Sequence, residues 1–246
     1  MIINEPDIYP YSASDLSDRD FLVLAPHPDD ESIGCGGSIV RHVSSGSGVK
    51  VLFLTSGESG DFQNAFGDDY IARRRRSAID ALSVLGVKEY EFLGFRDRGL
   101  YEKREDVLNR VLEVVENFSP RLLYVPSPFE AHPDHRTASW IGWELYSRTG
   151  IETAFYEVLM PLYPNILVDI TGEYKTKEAA LRRYDTELYY NDYIDYVDGL
   201  NRLRTATLGH GTGYAEAFSL FNKEYSGGLS CRLLERMIIS PPVGLR

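Results

Sequence analysis

Cysteine is nearly absent: Cys35 and Cys231 are the only two in 246 residues. Two thiols so far apart exclude a disulfide framework and a zinc knuckle, and they point to a reduced, intracellular protein. No apolar run approaches the roughly 20 residues that span a bilayer, so stable membrane insertion is not expected. The first twenty residues, MIINEPDIYPYSASDLSDRD, lack the apolar centre of a signal peptide. The chain therefore reads as cytoplasmic. Basic residues are in deficit, with 26 Lys and Arg against 37 Asp and Glu, for a net charge of -11. Such a surface repels phosphate backbones and anionic headgroups, which argues against nucleic acid as a partner. Histidine is also scarce, five in all, so its clustering carries weight.

What remains is ordinary globular composition, with 43% hydrophobic and 26% charged residues, enough for a sizeable core. FLVLA at 21–25 is a short apolar run with polar borders, a buried strand. Gly34, Gly36 and Gly37 follow, then a helix through Val43. VKVLFLT at 49–55 is a second strand, 56–69 a polar loop, and 71–85 a helix stopped by Gly86. A strand at 90–93 precedes a loop at 94–99. Val107, Leu108, Val111, Leu112 and Val115 recur at helical spacing over 107–118. Pro120 breaks the chain before a strand at 122–125, a loop at 126–133 and a helix at 134–146. Beyond Ile151 the pattern weakens. Strands are expected at 153–156 and 166–170 and a helix at 175–190, with 191–214 unassigned.

Strand–helix alternation of this kind implies an α/β fold, a Rossmann-like, mostly parallel sheet with helices on both faces. One domain is expected over 1–246, with its core at about 20–170 and a C-terminal extension at about 171–246 closing over the site. Ligands of open α/β sheets bind beyond the carboxyl ends of the strands. That rule selects the loops after Ala25, Thr55, Leu93 and Val125.

Two of those loops hold unusual chemistry. Pro26-His27-Pro28-Asp29-Asp30-Glu31 places one His and three carboxylates at the end of a buried strand. Such polar density is costly there unless a metal or hydrogen bonds offset it. His132-Pro133-Asp134-His135 follows the strand at 122–125. Either segment alone could be a helix-capping cluster. Together, on two ligand-binding loops of one sheet, they read as a metal site. His27, Asp30 and His135 would supply three ligands and leave a position for water, as catalytic zinc sites do. Asp29 lies between two of these ligands and could approach a bound water without ligating.

PHPDDE (26–31) paired with HPDHR (132–136), with LTSGESGD (54–61), ARRRRSAIDALSVLG (72–86), LGFRDRGL (93–100) and YAEAFSL (214–220), resembles the PIG-L/LmbE-like family of zinc-dependent N-deacetylases. The resemblance implies removal of an acetyl group from the nitrogen of a GlcNAc-type amino sugar in a small conjugate. It implies Zn2+ held by His27, Asp30 and His135, and Asp29 as general base. His132 would then stabilise the oxyanion and help protonate the leaving amine, with Asp134 orienting and polarising His132. Arg74 and Asp97 stand where family members bind substrate hydroxyls, and members are often homo-oligomers. In this sequence Ser77 replaces a common Glu, and Glu130 stands where one branch has an oxyanion-assisting tyrosine. Tyr214 is a candidate substitute, and His210 a candidate lid residue.

Three other readings compete. Gly34-Cys35-Gly36-Gly37 invites a nucleotide-binding module, yet Ile39 occupies the third glycine position of G-x-G-x-x-G. A binding protein with an inactive zinc site is a second. A zinc hydrolase of another acyl bond, such as an ester, is the third, since the same water attacks either carbonyl.

Overall fold

The computed structural model describes residues 4–223 and 228–239. The first half alternates as expected: β1 (Phe21–Ala25), α1 (Asp30–Ser44), β2 (Val49–Thr55), α2 (Tyr70–Leu85), β3 (Glu89–Phe95), α3 (Arg104–Phe118), β4 (Leu122–Pro126) and α4 (Pro133–Thr149). The second half adds β5 (Glu152–Tyr156), β6 (Ile166–Asp169), α5 (Tyr174–Leu181), α6 (Asp185–Tyr190), α7 (Tyr193–Leu203), β7 (Ala215–Phe221) and α8 (Leu229–Ile239).

The strands form one sheet in the order β3-β2-β1-β4-β5-β7-β6. From β3 to β5 every pairing is parallel, and β7 runs antiparallel to both β5 and β6. All five residues of β1 are buried, because the sheet is covered on both sides. Phe21, Val23 and Ala25 pack with Ile33 and Ile39 of α1, Leu82 of α2 and Leu181 of α5. Leu22 and Leu24 pack on the other face with Val111 of α3, Ile141 of α4 and Leu234 of α8. Each of these Phe, Val, Leu and Ile side chains contributes roughly 1.5–3 kcal/mol on burial.

The strand order reverses between β1 and β4, since β2 and β3 lie to one side and β5 to the other. A crevice opens at this point in open α/β sheets. His27 to Asp30 leave β1 there, and Ala131 to His135 follow β4.

Several details depart from the sequence expectation. β3 continues through Gly94 to Phe95, with a register shift opposite Phe53 and Thr55. Such a bulge adds a residue and re-aims the end of the strand. The helix expected at 175–190 is two helices, α5 and α6, joined by a turn at 182–184. The region 171–246 does more than overlie the site, because β7 is built into the sheet between β5 and β6.

α1 also differs. It begins at Asp30, before the glycines, and is broken at Cys35 (φ -141, ψ 21). The carboxylate of Glu216 on β7 accepts N–H bonds from Gly37 and Ser38, both 2.8 Å, and so caps the restarted helix. The glycines serve close packing. A Cβ on Gly34 would fall 2.2 Å from the Tyr156 ring, and one on Gly37 2.7 Å from Ile170. That role leaves them no part in cradling a phosphate.

Candidate metal and catalytic site

His27 Nδ1, Asp30 Oδ2 and His135 Nε2 form a triangle. All three edges are 3.2 Å. Ligand atoms around a tetrahedral ion with bonds of roughly 2.0–2.1 Å stand about 3.3–3.4 Å apart. The three residues therefore fit zinc in donor type and spacing. All are buried, and like-facing nitrogens held this close in a dry site need a cation or shared protons between them.

The outward nitrogens of both rings meet carboxylates. His27 Nε2 is 3.2 Å from Asp97 Oδ1 and 3.5 Å from Asp134 Oδ2. His135 Nδ1 is buried without a full hydrogen bond and stands 3.6 Å from Glu130 Oε2. Glu130 is clamped by the N–H groups of Val158, Leu159 and Met160 at 2.8–3.1 Å. A carboxylate behind each ring fixes its tautomer and raises its basicity toward a metal. The sequence offered no sign of this role for Glu130, whose partners lie 28 residues onward and beyond.

Asp29 has φ 136 and ψ -29, a left-handed conformation that a non-glycine residue holds only under constraint. Glu31 Oε2 accepts its N–H at 3.2 Å, and its own carbonyl receives the N–H groups of Ser32 and Ile33 at the start of α1. Glu31 is itself held by the Tyr184 hydroxyl, which donates to Oε1. Burial, with the charges of Asp30 and Glu187, holds the Asp29 pKa well above the usual carboxylate range, against the opposing pull of Arg74.

Arg74 is the one arginine of the 73–76 run that turns inward. Its Nη1 donates to the carbonyl of Gly57 at 2.7 Å and its Nη2 to that of Pro28 at 3.1 Å. Nη2 is also 3.4 Å from Asp29 Oδ1, and Nε lies 2.9 Å from Glu187 Oε1, off the line of a hydrogen bond. The guanidinium is thus spent on protein groups, where the family resemblance had given it to substrate hydroxyls. It ties the Asp29 loop to the loop after β2 and to α6. Gly57 is required there, since a Cβ would fall 2.0 Å from Nη1.

Asp97 likewise turns into the site. Oδ1 faces His27 and, at 3.7 Å, His132 Nε2, while Oδ2 accepts the Ser59 N–H at 3.1 Å. Burial raises its pKa, but the hydrogen bond to His27, the charges of His27 and His132 and the Ser59 N–H together outweigh burial and lower it.

His132 caps α4. Its Nδ1 accepts the Asp134 N–H at 3.2 Å, and its side chain is 25% exposed, the most open of the three histidines here. Burial and the charges of His27 and His135 push its pKa down to about 4. A ring that accepts at Nδ1 carries its proton on Nε2 and is neutral. The charge of Asp134 favours the protonated ring, as the resemblance implies, but burial and the other two histidines outweigh it. Asp134 accepts the N–H groups of Arg98 at 2.6 Å and Leu100 at 3.2 Å. It organises the loop after β3; its hydrogen bond to His132 runs from its backbone N–H, and its carboxylate lies within 4.8 Å of the ring.

The remaining candidates lie elsewhere. Ser77 Oγ donates to Asp185 at 3.3 Å. The Tyr214 hydroxyl donates to Asp198 at 2.9 Å and its ring stacks on Tyr174 at 3.5 Å, so it is no oxyanion partner in this arrangement. His210 is exposed in the turn before β7. Tyr190 on α6 reaches Asp61, and its ring meets Phe62 at 4.5 Å, so this helix covers the loop after β2.

Residues 22–146 match the model of a family described as PIG-L, GlcNAc-PI de-N-acetylase. The chain is 31% identical to a diacetylchitobiose deacetylase of Thermococcus kodakarensis over 188 residues, 68% of this chain and 69% of that one. It is 32% identical over 150 residues to a 1D-myo-inositol 2-acetamido-2-deoxy-alpha-D-glucopyranoside deacetylase of Kineococcus radiotolerans, 48% of this chain and 42% of the relative. The solved N,N'-diacetylchitobiose deacetylase of Pyrococcus horikoshii superposes with a TM-score of 0.73 at 25% identity, covering 84% of this chain and 85% of that one.

Proposed function

We infer the activity from the premise that the chain belongs to the PIG-L family of de-N-acetylases. Its relatives are deacetylases of N-acetylglucosamine compounds, and this chain is an amide hydrolase of the same kind. We propose that it uses zinc, held by His27, Asp30 and His135, to remove acetyl from the nitrogen of an amino sugar. The observation that carries this reading is the 3.2 Å triangle of their ligand atoms beside a buried, strained Asp29. Bound zinc would lower the pKa of a water and polarise the acetyl carbonyl.

The chain's own groups then divide the work. Asp29, with its raised proton affinity, takes the proton from the attacking water. His132 offers a neutral Nε2–H to the oxyanion that forms at the carbonyl. The proton on Asp29 passes to the departing nitrogen, so the products are acetate and the free amine. Arg74 positions Asp29, and Asp97 positions the rings of His27 and His132. The free, buried Cys35 and Cys231 support work in a reducing cytoplasm.

The test is amine release from a panel of N-acetylglucosamine conjugates by zinc-loaded protein, with Asp29→Ala alongside. Release should stop with chelator, return with zinc, and fall at least about 10²-fold in the variant. A chain that binds no zinc, or an Asp29→Ala protein as active as the parent, would sink the reading.

A further inference from the structure

An acidic protein carries a cationic cleft next to these loops. The cleft, about 530 Å³, is lined by Arg98, Arg104 and Arg136, with Tyr101, Trp140 and Met237. It abuts the site through the chain itself, since Arg98 follows Asp97, and Pro133 on the cleft wall follows His132. Neither Arg98 nor Arg136 forms an ion pair among the described residues, in a chain with 37 acidic side chains. Arg136 Nη1 is anchored by the carbonyls of Glu130 and Ala131. The Arg104 guanidinium lies over the Tyr101 ring at 4.9 Å and the Trp140 ring at 5.8 Å, with exposed Glu105 3.9 Å away. Among the described residues, Glu102 is the one acid on the wall.

Arg98 is built in. It holds φ 62, a left-handed conformation uncommon for a side chain of this size. Asp134 stabilises it by accepting the Arg98 N–H at 2.6 Å. The same buried carboxylate that borders the His27 ring thus fixes the residue whose guanidinium, unpaired among the described residues, lines the cleft.

We propose that this cleft holds an anionic group, a carboxylate or a phosphate, on the part of the substrate beyond the acetylated sugar. The proposal rests on the amino-sugar deacetylase reading and narrows its substrate class. Guanidinium forks bind such oxygens in pairs, and the aromatic walls cover the adjoining apolar or ring portion. The cleft supplies specificity and takes no part in breaking the amide.

The test compares kcat/KM for acetate release from three probes: methyl N-acetylglucosaminide, its carboxymethyl counterpart, and N-acetylglucosamine 1-phosphate. At least one anionic probe should be preferred by roughly tenfold or more at low salt, as a charge-assisted contact provides. The preference should shrink at high ionic strength. Arg98→Gln should erase it without slowing the methyl glycoside, and Arg98→Lys should restore part of it. Preference for the carboxymethyl or for the phosphate probe identifies the group. Equal rates on all three probes, or an Arg98→Gln protein slowed equally on all, overturn the proposal. If no probe is cleaved, the deacetylase reading fails. The cleft is then decided by titrating metal-free protein with N-acetylglucosamine 1-phosphate. Binding lost in Arg98→Gln supports the cleft, and absence of binding overturns it.

Discussion

The residues of the site form two tiers. His27, Asp30 and His135 bring their ligand atoms together, and Asp97 and Glu130 stand behind the two rings. Glu130 is the instructive member. Three backbone N–H groups hold its carboxylate in place, so its Oε2 can fix the ring of His135 from behind. Glu130→Gln keeps the volume and removes the charge. We expect zinc affinity to fall roughly 10–100-fold, read by competition with a chromogenic chelator. An affinity within about twofold of the parent would mean that Glu130 only pins the loop. The histidines and carboxylates of PHPDDE and HPDH were legible because strand-end loops rarely concentrate such groups without use. The tasks of Arg74, Asp97 and Asp134 were not. Each is decided by which backbone groups the fold brings within 3 Å or so, and nothing local in the sequence encodes that. His132 shows the same limit: being a helix cap sets its tautomer.

At the scale of elements, the parallel half was readable and the antiparallel half was not. β1 and β2 fall where the apolar runs FLVLA and VLFL place them. β7 escaped because AEAFSLF carries a Glu and a Ser amid its apolar residues, and a fully buried polar residue reads as a surface one. Glu216 is buried because it serves α1. Besides the Gly37 and Ser38 N–H groups, it accepts the Ser38 hydroxyl at 2.6 Å and pairs with Lys177 Nζ at 2.7 Å, both side chains fully enclosed. This cluster links α1, α5 and β7 across nearly 180 residues. Removing one partner of a buried pair leaves a charge without compensation. Lys177→Met should therefore cost about 3–5 kcal/mol in urea unfolding, and Lys177→Met with Glu216→Gln should cost less than the single change. A loss under about 1 kcal/mol for Lys177→Met would show that the helix cap alone satisfies Glu216.

At the scale of the whole molecule, buried titratable groups make stability depend on pH, and His42 gives the term with the plainest geometry. It lies on α1, away from the metal-site residues. Its Nδ1 donates to the Arg19 carbonyl at 3.1 Å and its Nε2 accepts the Tyr124 hydroxyl at 3.3 Å. A ring with one donor and one acceptor bond is neutral. Burial pushes its pKa from 6.5 down to about 4. The unfolded chain therefore binds this proton first as pH falls. Stability from neutral His42 is complete above pH 6.5 and is lost progressively between 6.5 and about 4. The loss amounts to about 2 kcal/mol by pH 5 and about 3 kcal/mol at the lower limit. Other buried groups titrate in the same range, among them Glu31, raised by burial to about 7. Glu31 acts in the opposite sense, its contribution being present at low pH and lost as pH rises through about 7. The parent curve sums these terms, so the measurement is a difference. His42→Gln can still donate to Arg19 and accept from Tyr124 but takes up no proton. In metal-free protein at equal ionic strength, parent and variant unfolding free energies should diverge by about 2 kcal/mol between pH 7.5 and pH 5, with the parent losing more. Parallel curves would show that His42 reaches solvent and protonates without opening the fold.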